Sequence, residues 1–416
     1  MKWFSGRALV LVLLTACGTE RAWTDHVVRD SAGVRIVENA RPAWDAGDEW
    51  KVSSPTLVMG GDDDDEGRLH RVAGASRLSD GTIVIANGGT AQLLFFASTG
   101  SFARAAGGPG EGPGEFQAPA WLGRRVGDTL VVWDRGTRRF SEFTSAGAHI
   151  ADTSPTLPDG PTTWAIHGHV MDGRPLLARD VSFIPAVGEA GIQRQPLSAW
   201  LIAADGTLAT EYGPFAGEAV FLRGGRQPGS LIRTPVPFGA ATILRAGADR
   251  VVASDNGEYD VHTYDLSGRL VTIIRRGHER QPVRAADIAA YIEARLSPLP
   301  PVAEIREGMR ASLEAVPAPE WMPAIRSMLV DTDAHLWVEA GRWMDERTAT
   351  WSVFDRTGVW LGDVALPAAY EPLEIGRDYI LALVRDTLDV ESVVMLPLER
   401  RGGVSHLDPD GGDSRP

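Results

Sequence analysis

One short phrase recurs six times along this chain: an apolar strand that ends on a carboxylate or an amide. It reads Ile83-Val84-Ile85-Ala86-Asn87, then Leu130-Val131-Val132-Trp133-Asp134, then Leu176-Leu177-Ala178-Arg179-Asp180. It returns as Val251-Val252-Ala253-Ser254-Asp255, Leu336-Trp337-Val338-Glu339 and Leu381-Ala382-Leu383-Val384-Arg385-Asp386. The polar ends are 47, 46, 75, 84 and 47 residues apart, so a unit of about 46 residues repeats and two copies carry insertions. A repeat of that length cannot bury its faces alone and must stack against its neighbours.

A second phrase runs in phase with the first. A large apolar residue is followed four positions later by glycine, as in Phe96 and Gly100, Phe143 and Gly147, Ile202 and Gly206, Tyr264 and Gly268, and Phe354 and Gly358. Asp, Ser or Thr fills the space between, as in Asp265-Leu266-Ser267-Gly268. Glycine supplies the positive φ of a tight hairpin turn, and Asp or Ser bonds the turn's own backbone. Each unit therefore reads as a β-meander, and six of them in a radial array read as an all-β fold, a six-bladed β-propeller. Near the N-terminus Val28 to Val37 repeats the Asp-x-x-Gly turn and its strand, so residues 34–38 are expected to supply the outer strand of the last blade. A free N-terminal arm is the other arrangement.

Composition narrows the remainder. Of the 416 residues 44% are apolar, enough for a large core, and the 46 Gly with 27 Pro suit a chain of many turns. Trp133, Trp200, Trp337 and Trp351 fall on expected strands, where packing between blades needs large flat side chains. The net charge is −14, or about −16 without Lys2 and Arg7, and no basic stripe is present. Nucleic acid is thereby excluded as a partner, because its binders must displace counterions with a basic surface.

The first residues read as a leader. Lys2 and Arg7 precede an apolar run from Ala8 to Leu14, too short to span a bilayer, and Leu14-Thr15-Ala16-Cys17-Gly18 follows. Cys17 is the only cysteine, so it has no disulfide partner within a monomer. The segment up to Cys17 resembles the lipobox of bacterial lipoproteins. That resemblance implies lipid on the Cys17 thiol (diacylglycerol, with palmitate among the acyl chains) and anchoring in the cell envelope. Gly18 in place of Asp implies the outer membrane. An ordinary cleaved signal with an incidental cysteine is the alternative. The expected organisation is a signal peptide at 1–16, a tether at 17–25, the propeller at 26–400 and a disordered tail at 401–416.

Two stretches resemble NHL repeats. Asp134-Arg135-Gly136-Thr137-Arg138-Arg139-Phe140 is similar to the family's Asp-ended strand turning into an Arg-apolar strand. Gly107 to Phe116, with Pro119 after it, is similar to its Gly-rich link between blades. Asp260-Val261 departs from the pattern, standing where the family has Arg-apolar. The chain as a whole, over roughly 26–400, is similar to six-bladed NHL-like propeller lipoproteins, a class whose fold does not imply one function.

The ring of Asn87, Asp134, Asp180, Asp255, Glu339 and Asp386 could hold a metal, but a carboxylate at a strand end caps the amides of the following turn, and capping is the expected role. Asp62 to Gly67 mimics the start of a calcium loop, yet loop position twelve is Ala73, where a bidentate Glu is required, so a solvated acidic loop is expected. His167 and His169 would share one strand face but have no third ligand nearby in sequence, and read as surface histidines. There is no nucleophile elbow, no His-Glu-x-x-His and no phosphate loop. No catalytic residue, metal or cofactor is therefore assigned.

The long departures from the repeat fall on one face. Val181 to Pro196 interrupts the second turn of the third unit, and 276–322 lengthens the link between the fourth and fifth. Within the latter, a helical insertion is expected at about 282–318, between blades four and five. Ile288, Tyr291, Ile292 and Leu296 form one stripe, Ile305, Met309 and Leu313 another, and Pro298, Pro300 and Pro301 separate them. These features point to a monomeric, lipid-anchored binding or scaffolding module, without enzymatic activity, that meets a protein or saccharide through its decorated face. The alternative is a metal-dependent hydrolase or lyase, lactonase-like, with its site at the channel mouth.

Overall fold

Strand edges dictate how this chain is assembled. The computed structural model describes residues 26–60, 67–158, 163–180, 190–224 and 231–401. The leader with Cys17, the acidic run at 61–66 and the tail beyond Arg401 lie outside the described residues. A hairpin, β1 (His26–Ser31) and β2 (Val34–Asn39), comes first, followed by two short strands, β3 (Lys51–Val52) and β4 (Leu57–Gly60). Six antiparallel units follow.

Unit one is β5 (Val72–Arg77), β6 (Ile83–Asn87), β7 (Gln92–Phe96) and β8 (Phe102–Gly107). Unit two is β9 (Pro119–Arg124), β10 (Leu130–Asp134), β11 (Arg139–Phe143) and β12 (His149–Thr153). Unit three is β13 (Thr163–His169), β14 (Pro175–Asp180) and a long hairpin of β15 (Gly191–Ile202) and β16 (Leu208–Gly224), with β17 (Leu231–Pro235) beside it. Unit four is β18 (Thr242–Gly247), β19 (Arg250–Asp255), β20 (Asp260–Tyr264) and β21 (Leu270–Arg276). Two helices come next, α1 (Ala285–Leu296) and α2 (Ala303–Glu314). Unit five is β22 (Ile325–Val330), β23 (Leu336–Ala340), β24 (Thr348–Phe354) and β25 (Trp360–Pro367). Unit six is β26 (Glu371–Ile375), β27 (Tyr379–Arg385) and β28 (Glu391–Glu399), completed by β4.

The protein is thus nearly all β. The second strand of each unit is the most apolar because both of its faces are covered; every residue of β6 and of β10 is buried. The expected glycines turn the hairpins, with φ of 88° at Gly100, 85° at Gly147 and 86° at Gly268. Among the described residues no helix is long and apolar enough to cross a membrane.

Packing between units follows chain order and then returns to its start. Val84, Phe95, Leu122 and Val132 share one apolar cluster between units one and two. Trp133, Trp164 and Leu177 join two to three, and Leu176, Leu201, Leu244 and Val251 join three to four. Val252, Ile274, Met328 and Phe354 join four to five, and Trp337, Trp351, Ile380 and Leu396 join five to six. A further cluster holds Ile83, Ile85 and Phe96 of unit one against Leu381, Leu383 and Val393 of unit six. Of the four tryptophans expected between units, Trp133, Trp337 and Trp351 are buried in these clusters and Trp200 packs on one.

The N-terminal segment departs from expectation. Residues 34–38 do not edge the last unit: β2 lies parallel to β21 in unit four, from Arg35 opposite Thr272 to Asn39 opposite Arg276. The outer strand of unit six is β4, with Leu57 opposite Met395 and Gly60 opposite Ser392. Side chains explain the exchange. Glu38 on β2 meets Arg275 of unit four, whereas Met59 on β4 is buried in the cluster between units six and one. Between these strands the Ala43 and Trp44 amides donate to the Trp360 and Leu361 carbonyls of unit five, and Trp50 packs on Trp337. The segment is a belt over the outer edges of units four, five and six, covering backbone that would otherwise be open to other chains.

The expected loop at 181–196 is also shorter than its sequence suggests. Residues 191–196 belong to β15, with Gly191 opposite Leu222 and Arg194 opposite Ala219, and 181–189 lie outside the described residues.

The belt makes a direct prediction. Met59→Ala removes a fully buried side chain from the cluster that joins the last unit to the first, and should cost about 2–5 kcal/mol in urea unfolding. The same truncation at exposed Val58 should leave the midpoint nearly unchanged.

Candidate functional site

The six polar residues expected at the strand ends turn out to do several different things. Asp134 is fully buried and accepts from the backbone amides of Gln117, Ala118, Gly136 and Thr137 at 2.6, 3.1, 2.7 and 3.1 Å. It therefore ties its own turn to the link entering unit two. Asn87 does the same for unit one, accepting from the His70 amide at 2.8 Å and donating to the Arg68 carbonyl at 3.1 Å. Asp386 accepts from Leu388 and Val390 amides in its own turn. Glu339 is buried between Arg326 and Arg342, each at 3.3 Å, and burial pushes its carboxyl upward despite the two cations. The Asp180 side chain lies outside the described residues.

Asp255 breaks the pattern. It is exposed and forms a bidentate pair with Arg194 of β15 at 2.8 and 2.9 Å. The clamp on the incoming link belongs to the next residue, Asn256, which is buried and accepts from the Ala241 amide at 2.8 Å. The ring residues do not converge: among the described residues no three His, Cys, Asp or Glu side chains gather to hold a metal ion. The Gly-rich link of the NHL-like stretch is held by Arg139, which donates to the carbonyls of Glu111 and Glu115 at 2.8 and 2.7 Å. Asp260, where that pattern is broken, pairs instead with Arg275 at 2.9 Å and with His262 at 3.0 Å.

The polar side chains that do come together lie elsewhere. The first strands of all six units, β5, β9, β13, β18, β22 and β26, line one cavity of about 490 Å³. Ser76, Arg124, His167, His169, Arg245 and Asp331 occupy its wall near the C-terminal ends of those strands. Second strands run antiparallel to first strands, so this is the end away from the ring of strand-end residues. His167 and His169 are thus cavity residues, not surface ones, and different partners hold them apart. His169 Nε2 bonds the Arg124 carbonyl at 2.9 Å, and burial depresses its pKa, so it is the neutral tautomer with the proton on Nε2. His167 Nδ1 faces Arg245 at 3.5 Å.

The cavity's acids are engaged. Glu374 accepts from the Ser76 hydroxyl at 2.6 Å, the Arg77 amide at 2.9 Å and the Tyr379 hydroxyl at 2.5 Å. Burial and the Glu374 charge together push the Tyr379 phenol upward. Asp331 is buried, which favours its neutral form, but bonds from His335, Arg400 and Trp337 outweigh this and hold its pKa below the usual carboxylate range. Sequence reading passed over Arg245, although an arginine inside the apolar run Ile243-Leu244-Arg245-Ala246 is itself a signal that one strand edge meets something polar.

On the opposite end stands the helix pair. Ile292 and Leu296 of α1 are buried with Leu313 of α2, as the expected stripes require. Asp287 anchors α1: it accepts from the Arg284 amide at 3.0 Å, from its guanidinium at 2.8 Å and from the Met344 amide at 3.1 Å. α2 reaches the long hairpin, where Arg223 donates to the Ser312 hydroxyl at 2.6 Å. The second stripe is only half covered, however: Ile305 and Met309 are 49% and 40% exposed.

No family model and no curated protein matches the chain. Among solved structures it is similar to a member of the DUF4221 family from Bacteroides vulgatus, at 11% identity and TM-score 0.49, over 85% of this chain and 98% of that one. It is also similar to a catalytically inactive virginiamycin B lyase from Staphylococcus aureus, solved with quinupristin, at 11% identity and TM-score 0.40, over 84% of this chain and 99% of that one. The NHL likeness rests on the motifs alone.

Two expectations follow. Asn256→Ala should destabilise the protein by about 1–3 kcal/mol because it orphans a buried amide, whereas Asp255→Ala should cost no more than about 1 kcal/mol; paired denaturant curves decide. Asp287, held down to about 2 first by the Arg284 guanidinium, should contribute stability fully above its unfolded value near 3.8 and lose it as pH falls toward about 2. Amide protection factors in 285–314, taken relative to intrinsic exchange at each pH, should therefore fall between pH 4 and pH 2, and Asp287→Asn should flatten that dependence.

Proposed function

We propose that the six units close into a six-bladed β-propeller, held by lipid on Cys17 in the bacterial cell envelope, at the outer membrane. It acts there as a binding or scaffolding module whose partner docks on the end that carries α1 and α2. One observation carries this reading. Val302, the extended residue that caps α2, and Ile305 and Met309 within it are 42%, 49% and 40% exposed, while the other side of the helix pair is packed. Single exposed apolar residues are ordinary, but an aligned strip on an inserted element is what a partner helix or loop fits. The strip favours a protein over a saccharide. The strand-end residues are read as structural clamps.

The alternative is a metal-dependent hydrolase or lyase at the channel mouth. Metal analysis of purified protein separates the two: a stoichiometric calcium or zinc ion whose removal lowers the melting temperature would favour the enzyme.

Ile305→Glu with Met309→Glu should leave the strand content by circular dichroism unchanged and abolish capture of the partner from envelope extracts. Equal capture by the variant would sink the docking reading. Cys17→Ala should move the folded protein from the membrane to the soluble fraction, and retention in membranes with no acyl chain on the wild type would refute the anchor.

A further inference from the structure

Among the described residues, the cavity lined by the first strands holds one cation without a counter-charge in contact. Arg124 is paired with Asp128 at 2.9 Å, and Arg125 with Glu142 at 2.5 Å. Arg245, on β18, has no carboxylate within ion-pair distance among the described residues. Both of its contacts leave from Nη1, one to the Leu244 carbonyl at 2.8 Å and one long contact to His167 Nδ1 at 3.5 Å. A guanidinium carries five N–H donors, so Nε and Nη2 keep three of them unused. These two nitrogens form the side of the fork that matches the two oxygens of a carboxylate.

An arginine so placed cannot relieve itself by losing its proton, and an unpaired charge away from bulk water is costly. Burial presses the Arg245 pKa down, and the acid that opposes this through space is Glu371. Glu371 is itself 3.4 Å from Arg385, Glu374 is bonded by three neutral donors, and Asp331 is paired with Arg400. No resident acid therefore neutralises Arg245 at contact. Glu371 and Glu374 also bound what can enter. A second anionic group on a ligand would meet them, whereas hydroxyl groups could donate to them and to the carbonyls along the first strands.

We propose that this cavity binds a small hydroxylated monocarboxylate, the chemistry of a sugar acid, with its carboxylate held two-pronged by Nε and Nη2 of Arg245. The cavity volume of about 490 Å³ is in the range of small-ligand sites, which run from about 300 to 1,000 Å³. Trp121 in the wall offers a flat apolar surface beside the polar groups, as a sugar ring requires.

Calorimetric titration and thermal melting with glucuronate, glucose and malonate test the assignment. Glucuronate should titrate to one site and raise the melting temperature; glucose, without the carboxylate, and malonate, with a second one, should each bind at least about tenfold more weakly. Arg245→Gln should weaken glucuronate by about tenfold or more, and Arg245→Lys, which keeps the charge and loses the fork, should also weaken it. Ile305→Glu with Met309→Glu should bind glucuronate as the wild type does, so loss of the helix-face reading leaves this one standing. No glucuronate heat in the wild type at millimolar concentration overturns the proposal, as does equal binding of glucose or an Arg245→Gln variant that binds normally. Should Arg245→Gln not fold, Arg245→Lys and the wild-type comparison of glucuronate with glucose decide.

Discussion

A first strand in this protein has a partner on one side only. Among the described residues neighbouring units meet through few backbone bonds at the cavity: Gly168 of β13 bridges Ala246 of β18, the Met171 amide donates to the Ala248 carbonyl, and the Thr332 amide donates to the Ile375 carbonyl of β26. The free edges of the others look into the shared cavity. Backbone N–H and C=O groups cannot be left dry, so that cavity must hold water or polar side chains along its wall. Much of the molecule answers to this requirement. It explains why arginine, histidine and serine occur on strands that are otherwise apolar, and why the centre is a polar-lined cavity and not a packed core.

Because the units share almost no backbone bonds around the cavity, two other devices hold them in place. Side-chain clusters fill the gaps between neighbouring sheets, with Trp133, Trp337 and Trp351 supplying large surfaces that reach from one to the next. Buried polar clamps then pin the links into units one, two and four, through Asn87, Asp134 and Asn256. Asp134 meets four amides, and removing it would leave several of them orphaned away from water. A clamp of this kind fixes named backbone amides, so in these three units it sets where the first strand begins. The inserted helices hang on a similar device, since Asp287 takes bonds from both Arg284 and Met344.

Much of this was readable from the chain, and the failures have physical causes. The repeat, the glycine turns and the apolar second strands are local patterns, and they hold at the residues named. Asn87 and Asp134 were recognisable because one polar residue ends each run. In unit four two polar residues are adjacent, and pairing of Asp255 with Thr242 leaves Asn256 to turn inward; strand register decides this, and composition does not. The stretch β4 is only four residues long, too few for a periodicity, so its role in unit six was invisible while the longer β2 looked the better candidate. Arg245 went unremarked because its significance lies in what neighbouring units do not offer it. The surroundings of a cavity are assembled from six distant segments, and no window along the chain contains them.

The belt has a consequence for how the protein is made. Residues 57–60 pair with 392–395, so the two halves of one sheet are separated by nearly the whole chain. β4 comes early in the chain and stays without its partner strand until the final unit is complete. Units one to five can condense as they emerge, but the last step is a long-range docking that resembles fastening a clasp. Contacts so distant in sequence are slow to form. A chain stalled before unit six keeps an apolar strand edge open at each end, and partial products of this protein are therefore a greater hazard than the finished one.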